Sequence, residues 1–150
     1  MKKVLFLCTG NYYRSRFAEI YFNHLAEKNG LNWRADSRGF YPNARNLGAI
    51  SRFAVERLAY QKIRVENPRF PLQLTLEDLE NADLVVALYD EEHRPFVEQD
   101  FPEWLERVEF WKVADVPFSL PEIALPAIER QVENLIERLK DEPRTEDNVA

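Results

Sequence analysis

Cys8-Thr9-Gly10-Asn11-Tyr12-Tyr13-Arg14-Ser15 places the chain's only cysteine six residues before an arginine, directly behind the apolar run Val4-Leu5-Phe6-Leu7. That run reads as a buried strand over 4–7, and the pattern from Ser15 onward reads as an amphipathic helix. The octapeptide is therefore a turn from the carboxyl end of a strand into the start of a helix. Such a turn gathers free backbone N–H groups around one point, where the helix dipole favours negative charge. A cysteine there is favoured as a thiolate, and an arginine can grip a phosphate through two N–H donors. Nucleophile and anion clamp share one pocket.

A lone cysteine at a strand end is most often just a small core residue. At average residue usage, the chance that a given Cys has Arg six residues on and Ser or Thr just after is roughly one in a hundred. The strand-to-helix position lowers that chance further, so the combination points to a phosphate loop.

Outward from this loop, strands alternate with helical patterns and no internal repeat is visible. A first helix is expected over 15–29, with Phe17, Ile20, Tyr21, Phe22 and Leu25 inward and Gly30 as its stop. A second strand is expected over 33–36, a loop over 39–46, and a helix carrying Ile50, Phe53, Ala54, Val55 and Leu58. Pro68 and Pro71 break the next stretch into loop. Thr75-Leu76-Glu77-Asp78 has the form of a helix-start box, 84–88 and 108–111 read as strands three and four, and Ile128, Val132, Leu135, Ile136 and Leu139 mark a last helix. Strands separated by helices imply parallel pairing with right-handed crossovers. The expected fold is α/β, a three-layer α/β/α sandwich with its site at the carboxyl ends of the strands. A single domain is expected over 1–140, with a polar, disordered tail over 141–150.

Composition narrows the function classes. The 150 residues are 45% hydrophobic and 13% aromatic, enough for one sizeable core. No apolar run approaches the roughly 18 residues of a membrane span, and Met-Lys-Lys is not followed by the apolar region of a signal peptide. One cysteine makes no internal disulfide, so the expected location is cytoplasmic. A net charge of −6 without a basic block argues against nucleic acid or an anionic membrane as the main partner. Two His and one Cys supply no structural zinc set.

The loop resembles that of the low-molecular-weight protein-tyrosine phosphatase family, whose small members begin with a strand, the pattern Cys-x5-Arg-Ser/Thr and a helix. Asp36-Ser37-Arg38-Gly39 is similar to the family's Ser-x-Gly segment, Ala82-Asp83-Leu84-Val85-Val86 to its third strand, and Tyr89-Asp90-Glu91-Glu92-His93 to the start of the following helix. Asp115-Val116-Pro117 is similar to the run that leads into the family's catalytic Asp. The resemblance implies a four-stranded flavodoxin-like sheet and a phosphatase acting on phosphotyrosine in proteins, or on small aryl phosphates, with no metal or cofactor. Cys8 would attack phosphorus to form a cysteinyl-phosphate that water then hydrolyses. Arg14, with the amides of Thr9, Gly10, Asn11, Tyr12, Tyr13 and Arg14 and the neighbouring Ser15, would bind the phosphoryl oxygens. By the family's pattern Asn11 and Ser37 hold the loop and Ser15 steadies the thiolate. A monomer or weak homodimer is expected.

Three departures from the family stand out. Aligning Asp115-Val116-Pro117 with the family's run puts Phe118 at the acid position and Ser119 where a Pro usually follows, which leaves Asp115 as the nearest candidate general acid. Many members have a second cysteine just before the arginine, where this chain has Tyr13; oxidised Cys8 would then need an outside thiol for rescue. Arg16 follows Ser15 and would add charge at the mouth if it faces outward. Tyr12, Phe40, Tyr41 and Phe118 are candidates for an apolar substrate wall, against the alternative that such aromatics simply cover the core. His24 and His93 are read as surface or capping residues. Two further functions remain open: a phosphate- or phosphoprotein-binding module with little turnover, and arsenate reduction with an external thiol.

Overall fold

The computed structural model describes residues 1–66, 68–115 and 119–142. Four strands, β1 (Lys2–Cys8), β2 (Trp33–Gly39), β3 (Leu84–Ala87) and β4 (Val108–Phe110), form one sheet in the order β2-β1-β3-β4. Every pair in it is parallel, with Cys8 opposite Gly39 and Leu7 opposite Ala87. The α/β architecture is the one expected.

Side chains alternate across a strand, so β1 faces two cores at once. Val4, Phe6 and Cys8 point to one face, packed beneath α1 (Arg14–Lys28), α2 (Arg52–Tyr60) and α5 (Pro121–Lys140). Leu5 and Leu7 point to the other, with Leu79 of α3 (Leu76–Glu80), Val97 of α4 (Asp90–Asp100) and Trp104 of a short 3-10 helix, Pro102–Arg107. Being buried on both faces explains why β1 is almost uninterruptedly apolar.

Helix ends follow local chemistry. Thr75 and Asp78 form the expected reciprocal cap on α3. Ser51 accepts from the Phe53 N–H at the start of α2. Past α1, Gly30 takes φ +64 while the Leu31 N–H bonds to the Ala26 carbonyl, the left-handed stop foreseen for that glycine. Both β1 and β2 run further toward the site than their expected bounds, and the second helix starts at Arg52. On α2, Phe53 and Val55 are exposed while Ala54 and Leu58 are buried. The expected tail falls mostly on 143–150, outside the described residues. No helix among the described residues is long and apolar enough to cross a membrane.

Candidate active site

Cys8 ends β1 and Arg14 begins α1, so the intervening loop closes over the carboxyl edge of the sheet. Asn11 makes this closure possible. It sits in the left-handed region, φ 52, which asparagine tolerates better than most residues, and it is fully buried. Its Nδ2 donates to the hydroxyls of Ser15 and Ser37, each at 2.8 Å, and its Oδ1 accepts from the Leu72 N–H and from Arg69. The sulfur of Cys8, 2% exposed, lies 3.0 Å from the Ser15 hydroxyl. A Cβ on Gly39 would stand 2.9 Å from the Thr9 carbonyl oxygen, so only glycine lets β2 pass this close to the loop. The next two N–H groups, of Phe40 and Tyr41, donate to the carbonyls of Cys8 and Thr9.

Arg14 is buried, with Nη1 donating to the Val113 carbonyl at 3.0 Å and Nη2 to the Glu92 carboxylate at 2.9 Å. Its Nε has no hydrogen-bond partner among the described residues. Asp115, some hundred residues away in sequence, brings Oδ2 to 3.6 Å from Nη2 of Arg14. The strand ends thus gather Cys8, Arg14, Ser15 and Asp115 at one edge.

Glu92 and His93 join them from the first turn of α4, and their part was not foreseen. Glu92 also accepts from the Thr9 hydroxyl. Burial works to raise the pKa of Glu92, but hydrogen bonds from His93, Arg14 and Thr9 outweigh it and hold the carboxyl well below its usual range. His93, read as surface or capping, is fully buried, with its ring stacked on Phe40. It does cap: Nδ1 accepts the Tyr89 N–H at 3.0 Å, which places the ring proton on Nε2, 3.2 Å from both Thr9 and Glu92. Burial, with the positive charge of Arg14, pushes the His93 pKa down, so the ring is neutral at pH 7. The usable signal was position. Both residues follow β3, and the carboxyl ends of parallel strands are where such sheets build sites.

Burial contradicts two of the expected placements, those of Phe40 and Arg16, and the other aromatics take the contacts that follow. Phe40 is 2% exposed and packs in the second core against His93 and Phe96, so it cannot line an open wall. Tyr41 is exposed, its hydroxyl donating to Asp100 and its ring set edge-on to Phe96. Half-buried Tyr12 donates its hydroxyl to the Leu47 carbonyl. Tyr13 packs inward, edge-on to Phe53, and burial together with the nearby Asp115 pushes its phenol up to about 12. Arg16 does not face outward; it is 1% exposed and paired to Glu19. Phe118 lies outside the described residues. Among the described residues no cluster of His, Cys, Asp or Glu suits a metal ion.

The family model for low molecular weight phosphotyrosine protein phosphatase matches residues 3–145. The chain belongs to that family. A protein-arginine-phosphatase of Bacillus subtilis strain 168 is 34% identical over 105 residues, which is 70% of this chain and 67% of that protein. Among solved structures, a low molecular weight protein tyrosine phosphatase from T. tengcongensis is 30% identical, with a TM-score of 0.74 over 94% of this chain and 99% of its own. A cysteine-to-serine mutant of the YwlE arginine phosphatase, described with a phosphorylated active-site serine, is 27% identical, with a TM-score of 0.78 over 95% of this chain and 98% of its own. The family's members in these comparisons thus include phosphatases named for tyrosine and for arginine.

Proposed function

We propose that the protein hydrolyses phosphate monoesters of the phosphotyrosine type, in proteins or on small aryl groups, by way of a cysteinyl-phosphate on Cys8. The observation that carries this reading is the contact between the Cys8 sulfur and the Ser15 hydroxyl inside a loop that Arg14 closes. In this structure the Cys8 thiol donates to the Ser15 oxygen at 3.0 Å, and that oxygen also accepts an N–H from Asn11; once the sulfur is ionised, the Ser15 proton would turn toward it. The sulfur thus sits between that hydroxyl and the start of α1, at the centre of the loop.

In the first step the thiolate attacks phosphorus, the S–P bond forms and the bond to the departing phenolic oxygen breaks. Arg14 and the loop amides hold the remaining oxygens throughout. The Nε and Nη2 of an arginine form the edge that grips an oxyanion side-on. On Arg14 the Nε is unpartnered and Nη2 is held by Glu92, so an incoming phosphate would take the first and share or displace the second. Asp115, beside Arg14, is the proposed donor of the proton that the leaving oxygen takes up. In the second step it would accept a proton from the water that cleaves the S–P bond.

A second substrate reading, a phosphorylated arginine side chain, is favoured by the arginine-phosphatase relatives and by one feature of the site. Glu92 and Asp115 set two carboxylates beside the phosphate position. A departing guanidine becomes a cation once protonated, and both carboxylates would attract it, whereas a phenolate gains nothing from them.

The test is turnover of para-nitrophenyl phosphate in EDTA, followed by release of phosphate from matched phosphotyrosine and phosphoarginine peptides. The parent is expected to turn over and Cys8→Ser to be inactive. The higher kcat/KM between the two peptides assigns the substrate. Binding of phosphopeptide without turnover by the parent would overturn the enzyme in favour of a binding module.

A further inference from the structure

Arg14 and Arg16 lie two positions apart on α1, about 200° around the helix from each other, so they serve different places. Arg14 reaches the Cys8 loop. Arg16 lines a cavity of about 440 Å³ on the other side, together with Arg34, Lys62, Arg64 and Arg69. Against these five cations the cavity lining carries three glutamates, on a chain whose net charge is −6. Local charge here opposes that of the molecule.

The floor of the cavity is the informative part. Arg16 is 1% exposed, and only Nη1 is bonded, to Glu19 at 2.8 Å. Its Nε and Nη2 are buried with no hydrogen-bond partner among the described residues. Buried guanidinium N–H groups left in that condition are costly, and native proteins rarely carry them. They also form the edge that receives two oxygens of one anion. Elsewhere in this molecule the same edge does so: Arg57 holds Glu129, and Arg94 holds Asp90, each through Nε and Nη2. Glu19 cannot neutralise the floor by itself, because Arg69 approaches the same Oε1 at 3.4 Å and the Ser37 hydroxyl donates to it at 2.6 Å. Burial and the charges of Arg16 and Arg38 push the Arg69 pKa down despite Glu19 and Asp36, a sign that cations are crowded there.

From this geometry we infer a second oxyanion site, separate from the Cys8 loop, in which Arg16 grips a phosphate group side-on while Arg69, Arg34, Lys62 and Arg64 surround it. The group is either free inorganic phosphate or a phosphate carried on a side chain of a protein partner. Arg69 ties the site to the loop, since its Nη1 donates to the Asn11 Oδ1 at 3.0 Å. The inference does not depend on the chemistry of Cys8.

The experiment uses the Arg14→Ala protein, which lacks the clamp of the loop, and reads its melting temperature against inorganic phosphate with chloride at equal ionic strength as the control. A saturable rise in melting temperature is expected. Adding Lys62→Ala and Arg64→Ala, both exposed at the rim, should weaken the apparent affinity about fivefold, and adding Arg16→Gln should abolish the rise. The rim pair keeps the test valid if Arg16→Gln does not fold. A short phosphoserine peptide is the second probe: tighter binding than inorganic phosphate assigns the site to a phosphoprotein, weaker binding to the free ion. No saturable effect of either probe, or one that the rim pair leaves untouched, would overturn the second site.

Discussion

Glu92 concentrates the electrostatics of the loop in one side chain, with Arg14, Thr9 and His93 all directed at it. Because its folded-state pKa lies below the unfolded one, the unfolded chain binds the proton more readily. The stability this contributes is therefore present above about pH 4.3, the ordinary glutamate value, and is lost as the pH falls below it toward the folded value. Glu92→Gln should be less stable than the parent at pH 7, and the gap should narrow between about pH 5 and pH 3, read from urea midpoints. A gap that stays constant across that window would contradict the assignment. Glu92 could have been suspected from its place after β3, but two of its three partners, Arg14 and Thr9, lie far away in the chain and left no mark in local spacing. Cys8, Arg14 and Ser15 were legible because one short turn carries them all. Phe40 misled because an aromatic in a loop reads alike whether it faces substrate or, as here, stacks on a buried histidine.

Elements were legible where a period or a cap announced them. The apolar runs gave β1 and β3, and the spacing of Ile128, Val132, Leu135, Ile136 and Leu139 gave α5. The box at Thr75 gave α3, whose five residues are too few to persist without it. Thr75→Ala should cost about 1 kcal/mol in urea unfolding while leaving kcat unchanged, since α3 packs in the second core, on the opposite face of the sheet from Cys8. An equal loss in kcat would show that α3 positions the site. The stretch around Pro68 and Pro71 was legible only as loop. Nothing in it foretold that Arg69 would cross to Asn11, Ser37 and Asp36, because loop conformation there is set by those partners and not by local propensity.

At the scale of the whole molecule, the parallel sheet is what brings residue 115 to residue 14. All four strands point the same way, so loops far apart in sequence share one edge. That convergence makes Asp115 a candidate acid even though the family's register places Phe118 there. Asp115→Asn should lower kcat on phenyl phosphate by about a hundredfold, and on para-nitrophenyl phosphate, whose leaving group needs no proton, much less. Equal losses on the two substrates would remove Asp115 from proton transfer. The sequence made the alternation of strands and helices plain, and the place of Glu92 and His93 after β3 was the one sign that they belong at the same edge; which partners they meet there depends on how β3 sits beside β1.

The central claim is that Cys8 carries the phosphoryl group between the two steps. The most direct measurement is acid quench of the protein during turnover of para-nitrophenyl phosphate, followed by mass spectrometry of the peptide that contains residue 8. The account predicts one added phosphoryl group on Cys8 in the parent and none in Cys8→Ala, which should also release no nitrophenol. Steady turnover by Cys8→Ala, or a phosphoryl group found on any other residue, would contradict it.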